Sequence, residues 1–304
     1  MVQKPARGFV TIATGNESYY RIARNLLRSY RMNSSRPLPF ALIADRENQY
    51  TKEFDQVCLL PDAAYSYLDK LRLADMMPFD ITIFIDADCL AYGNLNCLFD
   101  VFAQADDVSC FGRVLPLDDL TGWFDYNSLR PELQSRISYV VGLHGGIYYL
   151  RKGKKSREVF AQARELVKEY DTFQFKGRFT TPGDEPVLAL SMAMHGCRPI
   201  PFTKDAICCY WEHEGSMELD FAGHTAALKV KPNSRYLLVH WGTRFTQSLE
   251  YREQICQMRI MMDGAGHQKQ RLERCRRVFR YKRADRQIRR LAGRVRSRIR
   301  RALK

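Results

Sequence analysis

One eight-residue segment, Ile81-Thr82-Ile83-Phe84-Ile85-Asp86-Ala87-Asp88, constrains this chain more than any other. Five residues rich in β-branched and aromatic side chains make a strand. Two acids then follow without a break, so the strand must end where carboxylates meet solvent or a ligand. Other segments show how that strand is housed. Residues 9–13 (Phe-Val-Thr-Ile-Ala) read as a buried strand that ends at the turn Thr14-Gly15-Asn16. Residues 18–30 place Tyr19, Ile22, Leu26 and Tyr30 at helical spacing, with Arg21, Arg24 and Arg28 between them. Residues 40–44 form a second strand and residues 57–60 a short third, halted by Pro61; residues 67–77 read as a helix. This alternation predicts an α/β fold with a mostly parallel central sheet and helices on both faces. Further on, residues 140–150 and 236–239 read as strands, and 156–170 and 185–195 as helices.

Charge separates a body from a tail. The net charge is +14, but residues 269–304 hold 17 Lys and Arg against two acids, Glu273 and Asp285. That surplus of 15 leaves the other 268 residues at −1, so the basicity says nothing about what the body binds. The expected division is 1–255 for the α/β domain and 256–304 for a basic helical extension, with a hinge at Gly264-Ala265-Gly266. The nine cysteines are odd in number and form no C-x-x-C pair. They read as buried free thiols in a reducing compartment rather than as a zinc cluster. With no apolar run near the ~20 residues of a membrane span and no apparent leader, the chain is expected in the cytoplasm.

In open parallel sheets, ligands bind beyond the carboxyl ends of the strands. Three polar clusters fall at such ends: Thr14-Gly15-Asn16, Asp86-Ala87-Asp88 and His240. Asp86 and Asp88 flank one residue, which in extended geometry puts both side chains on one face. Paired carboxylates repel, and a divalent cation resolves the conflict. Mg²⁺ or Mn²⁺ held by one or two carboxylates completes its shell with substrate phosphates, which points to a nucleotide diphosphate. An imidazole from His240 would tilt the choice toward Mn²⁺.

The run Ile-Phe-Ile-Asp-Ala-Asp, followed by Gly93-Asn94-Leu95-Asn96-Cys97-Leu98-Phe99-Asp100, resembles the signature of family 8 glycosyltransferases and their bacterial surface-glycan relatives. The resemblance extends over most of residues 8–246. It implies a GT-A-type nucleotide-sugar fold, a UDP-sugar donor, Mn²⁺, and hexosyl transfer with retention of configuration. It carries Ala13, Thr14 and Tyr19 to positions that would meet the base and ribose, and Lys70 to the diphosphate or donor sugar. Asp86 and Asp88 would be metal ligands, with Asp86 and Ala87 against the donor. His144-Gly145-Gly146 is similar to the family's strand that opens with Asn, with His144 in place of that Asn. Gly183-Asp184-Glu185 resembles the family's D-Q-D segment, making Asp184 and Glu185 contacts to the transferred sugar and acceptor. Val239-His240-Trp241-Gly242 resembles its H-x-x-G element, one residue shorter, with His240 the third ligand and Gly242 on the donor side. No Lys-Pro-Trp follows, and Arg244 stands in as the cation toward the diphosphate. A retaining enzyme needs no protein base; an inverting one would use Asp184 or Glu185.

The tail places Ile288, Leu291, Val295, Ile299 and Leu303 at three- and four-residue steps among arginines. Such a helix suits the inner face of an anionic membrane and a glycan or lipid-linked acceptor. Its aromatics, Phe279 and Tyr281, are too few for base stacking, which argues against nucleic acid. Two alternatives compete: a sugar-nucleotide nucleotidyltransferase, disfavoured because residues 8–20 lack a Gly-rich phosphate loop, and a non-catalytic binding module carried by the tail.

Overall fold

Phe9 and Val10, neighbours on the first strand, pack into two different hydrophobic clusters, and that alternation runs across the sheet. On one face lie Phe9, Ala13, Ile83, Ile85, Ile147 and Tyr149; on the other lie Val10, Phe84, Tyr148 and Leu150. The computed structural model describes residues 6–119, 121–172, 182–203, 205–264 and 266–302, with the backbone alone for 287 and 289–302. The strands are β1 (Arg7–Ala13), β2 (Phe40–Ala44), β3 (Gln56–Leu59), β4 (Ile81–Ile85), β5 (Cys89–Ala91) and β6 (Val108–Leu115). They continue with β7 (Val140–Arg151), β8 (Ile207–Cys209), β9 (Met217–Asp220), β10 (Thr225–Leu228) and β11 (Leu238–His240). The helices are α1 (Glu17–Met32), α2 (Leu73–Met76), α3 (Leu98–Val101), α4 (Pro131–Gln134), α5 (Lys154–Val167), α6 (Asp184–Met194), α7 (Leu249–Met262) and α8 (Gln268–Ala302).

The central sheet has the order β3-β2-β1-β4-β7-β6. The pairings among β3, β2, β1 and β4 are parallel, and β7 and β6 add antiparallel strands. This is the α/β architecture expected from the sequence. The chain leaves β1 in one direction to build β2 and β3, then returns to lay β4 on its other side. A crevice opens where that order reverses, between the carboxyl ends of β1 and β4. Thr14 follows one of these strands and Asp86 the other.

Helix α1 covers one face of the sheet. Asn16 caps it by accepting from the Ser18 amide at 2.8 Å. Its buried side chains include Tyr20, Ile22, Ala23, Leu26, Leu27 and Tyr30. Tyr19, placed on the apolar face by spacing alone, is 40% exposed, because Tyr20 takes the inward position and its hydroxyl donates to Asp45. A second small sheet, β5-β11-β8, aligns His240 with both Cys89 and Cys209.

The expected division at 255/256 falls inside α7, whose Tyr251, Ile255 and Met258 are buried in the body. Helix α8 packs Cys275 and Phe279 against Ile260. Arg276 grips both Asp220 oxygens at 2.8 Å, and Arg283 pairs with Glu253. The backbone stays helical to residue 302, while the side chains of Leu291, Val295 and Ile299, and residue Leu303, lie outside the described set. Among the described residues no helix is long and apolar enough to cross a membrane.

Candidate active site

The turn after β4 is pinned from three sides. The Asp86 amide donates to the Gly146 carbonyl at 3.0 Å, the Cys89 amide to the Asp86 carbonyl at 3.1 Å, and the Trp241 amide to the Asp88 carbonyl at 3.0 Å. Trp241 is fully buried, stacked 4.4 Å from Tyr210, which fixes the end of β11. Its neighbour His240 therefore points its Nε2 at the two acids, 3.0 Å from Asp88 Oδ1 and 3.6 Å from Asp86 Oδ2. Lys70, on the turn leading to α2, reaches Asp86 Oδ1 at 2.8 Å and Asp184 Oδ2 at 3.4 Å. Asp184 also accepts from the buried Tyr148 hydroxyl at 2.6 Å. Glu185 accepts from the Gly145 amide at 2.8 Å.

Burial and charge set these groups against one another. Burial and then its acidic neighbours push Asp86 above the usual carboxylate range, although Lys70 and His240 oppose them. Asp88 resists burial because His240 lies beside it, and it is held below that range. Burial would depress His240, but Asp88 and then Asp86 outweigh it and raise the imidazole. Lys70 is likewise raised, since Asp184 and Asp86 overcome its desolvation. Burial, followed by Asp184, pushes Glu185 up to about 7. Asp86, Asp88, Asp184 and Glu185 thus share two cationic partners.

That excess of acid, with two carboxylates and an imidazole converging from a rigid turn, fits a divalent cation on Asp86, Asp88 and His240. Two donor groups gather within 4.8 Å, Asp88 with Cys89 and His240, and His144 with Cys209 and His240. Here His144 Nδ1 accepts from the Gly146 amide at 3.1 Å, so Nε2 carries the proton and faces Cys209 Sγ at 2.9 Å. Burial holds His144 down to about 3 and raises the Cys209 thiol strongly. Two neutral, hydrogen-bonded groups are the outcome, supporting His240 from behind. The nine cysteines are free thiols.

A cavity of about 220 Å³ opens beside the acids, lined among others by Thr14, Tyr19, Lys70, Asp86, Ala87 and Asp88. These are the predicted residues the structure brings to one space. His240 and Asp184 stand behind it, joined through Asp86 and Lys70, while Glu185 is held by the Gly145 amide. Ala13 is not at the cavity; its side chain is buried in the core beside α1. Arg244 is exposed, with its guanidinium 5.0 Å over the Phe245 ring. Gly242 holds φ +69°, and a Cβ there would meet the Trp211 ring at 3.1 Å. Trp211 in turn packs edge-on against His240 at 4.8 Å.

Sequence reasoning missed Tyr65, Tyr67, Asp69 and Thr243, which also line the cavity. Asp69 is buried, accepting from the Thr14 hydroxyl at 2.8 Å and the Ala64 amide at 2.7 Å, and so ties the loop after β1 to the Lys70 turn. Thr243 donates to Asp88 Oδ2 at 3.2 Å. Tyr65 lies over Gly15, whose φ of +73° and missing Cβ, 3.0 Å from the ring, permit the approach. Three partly exposed tyrosines, Tyr19, Tyr65 and Tyr67, therefore surround the mouth. The only signal for the last two was an aromatic pair beside Lys70 in sequence.

By sequence, no family model and no curated protein matches the chain. By structure the chain is similar to the galactosyltransferase LgtC in complex with donor and acceptor sugar analogs, at 11% identity and a TM-score of 0.49, over 81% of this chain and 93% of that one. It is similar to mouse xyloside xylosyltransferase 1 in its apo form, at 13% identity and a TM-score of 0.45, over 79% and 98% of the two chains. The glycosyltransferase GlyE of Streptococcus pneumoniae TIGR4 is similar at 14% identity and a TM-score of 0.47, over 78% of this chain and 55% of that one.

Proposed function

We propose that the chain is a metal-dependent glycosyltransferase of the GT-A type that moves a hexose from a UDP-linked donor to a glycan or lipid-linked acceptor. The observation that carries this reading is the convergence of Asp86, Asp88 and His240 at the strand-order reversal, beside a cavity rimmed by tyrosines. Mn²⁺ or Mg²⁺ held by these three residues would neutralise the donor diphosphate and the charge that develops as it leaves.

The chain's own groups divide the remaining work. Tyrosine faces at the mouth offer stacking surfaces to a base, and Thr14 is held in place by Asp69. Lys70 keeps its proton and stands between Asp86 and Asp184, where an ammonium can orient a donor oxygen without being neutralised. The Asp184 carboxylate is already engaged by the Tyr148 hydroxyl and the Lys70 ammonium. Glu185 has one oxygen on the Gly145 amide and its carboxyl is raised to about 7 by burial and Asp184, which makes it the base an inverting course would use. The retaining course implied by the resemblance, in which the leaving phosphate takes the acceptor proton, asks neither Asp184 nor Glu185 to act as base. The basic α8 would rest the molecule on an anionic membrane surface near such an acceptor.

Calorimetric titration of UDP tests the site. Binding is expected in Mn²⁺, and is expected to vanish with EDTA or in Asp88→Ala. Equal affinity for UDP under all three conditions would reject metal-bridged donor binding.

A further inference from the structure

Behind the donor cavity, on the other side of Ile22, a second and larger cavity of about 580 Å³ lies between α1, α7 and the start of α8. Its walls carry Arg21, Arg252, Arg259 and Arg271 against one acid, Asp263. Asp263 is taken by Arg271 at 2.7 Å. Among the described residues, Arg21, Arg252 and Arg259 have no carboxylate within ion-pair distance. Nearby on α1, Arg24 is pressed by burial, Arg28 and Arg259; it pairs with Glu53 at 3.6 Å and keeps a buried Nε without a hydrogen-bond partner. The floor is different in kind: Ile255, Ile260 and Phe279 are apolar. Three unpaired guanidiniums above an apolar floor complement a ligand with a compact anionic head and a hydrocarbon stem. Guanidinium forks match phosphate oxygens bidentately and lose less hydration than ammonium groups in doing so.

We propose that this cavity is a discrete binding site for the phosphate head of a single lipid molecule, distinct from the diffuse attraction of the basic tail to a membrane. The assignment does not rest on the glycosyltransferase reading, because none of its three unpaired arginines contacts the acids or Lys70. The cavity shares Ile22 with the donor cavity, so a lipid phosphate seated there would hold the donor side of the molecule at the bilayer.

The test is calorimetric titration of the full chain with dihexanoyl phosphatidic acid kept below its micellar concentration. Inorganic phosphate and diphosphate serve as parallel titrants. Saturable binding of one lipid per chain is expected, weakened about tenfold or more in Arg252→Gln/Arg259→Gln through lost charge-assisted contacts. A tail variant, Arg300→Gln/Arg301→Gln, should bind as the wild type does. The single variants Arg252→Gln and Arg259→Gln are titrated separately, giving two independent readings should the pair fold poorly. Metal-dependent UDP binding should persist in all of them. Absence of lipid binding, an equal loss in the tail variant, or inorganic phosphate binding as tightly as the lipid would each overturn the proposal.

Discussion

Lys70 sits between two buried acids, and its removal should cost more than its own interactions. Lys70→Met would leave Asp184 without a cation and Asp86 with only the His240 imidazole, 3.6 Å away. Breaking such a pair from one side is destabilising by about 3–5 kcal/mol. Urea unfolding in EDTA should show a loss of that order, and saturating Mn²⁺ should recover part of it through Asp86. Glu185 offers a pH signature. It holds its proton to about 7 when folded, whereas an unperturbed glutamate releases it near 4.5. The folded state therefore binds more protons across that window, so this group's contribution to stability falls as pH rises from 4.5 to 7. Glu185→Gln keeps an acceptor for the Gly145 amide and cannot titrate. Without metal, its stability should match the wild type near pH 4.5 and exceed it by about 1–3 kcal/mol at pH 8. Parallel pH curves for the two proteins would contradict the raised carboxyl. Gly146 tests the packing behind His240: a Cβ there would lie 2.9 Å from His240 Nδ1 and 2.8 Å from His144 Cε1. Gly146→Ala should weaken Mn²⁺ binding by displacing His240 and lower stability by about 1–3 kcal/mol through overpacking.

At the scale of elements, the sheet was legible because its signal is local. Ile81–Ile85 and Phe40–Ala44 are uninterrupted runs of strand formers, and each appears where its residues predict. The acids Asp86 and Asp88 were legible for the same reason, since strand-end position and spacing are written in consecutive residues. What stayed hidden depends on tertiary packing. Tyr20 rather than Tyr19 turns inward because Asp45, on a loop after β2, offers its hydroxyl a buried acceptor. Ala13 faces the core because it shares the Phe9 face of β1, which packs against α1. Tyr65 reaches the cavity through a positive φ of 54° that no periodicity announces. The packing of α8 on the body likewise depends on contacts, for Glu253, Ile260 and Asp220 dock residues 275–283 in its first half. Two truncations should behave differently. Ending the chain after residue 286 keeps those contacts and should leave the melting temperature within a few degrees of the full chain. Ending it after residue 264 strips Ile260 and leaves the buried Glu253 unpaired, and should lower stability by several kcal/mol. Equal melting of both truncations would show that α8 contributes nothing to the body.

On the scale of the whole molecule, three demands meet in one place. A sheet that reverses its strand order opens a crevice, a small second sheet delivers an imidazole to that crevice, and acids gather there where the proposed cation would bind. The most direct measurement is release of free nucleotide from a panel of UDP- and GDP-sugars, with Mn²⁺ and with EDTA, by wild type and Asp88→Ala. Metal-dependent turnover of one donor, lost in the variant, is the predicted result. No turnover of any donor, together with UDP and GDP binding that ignores Mn²⁺, would contradict the assignment.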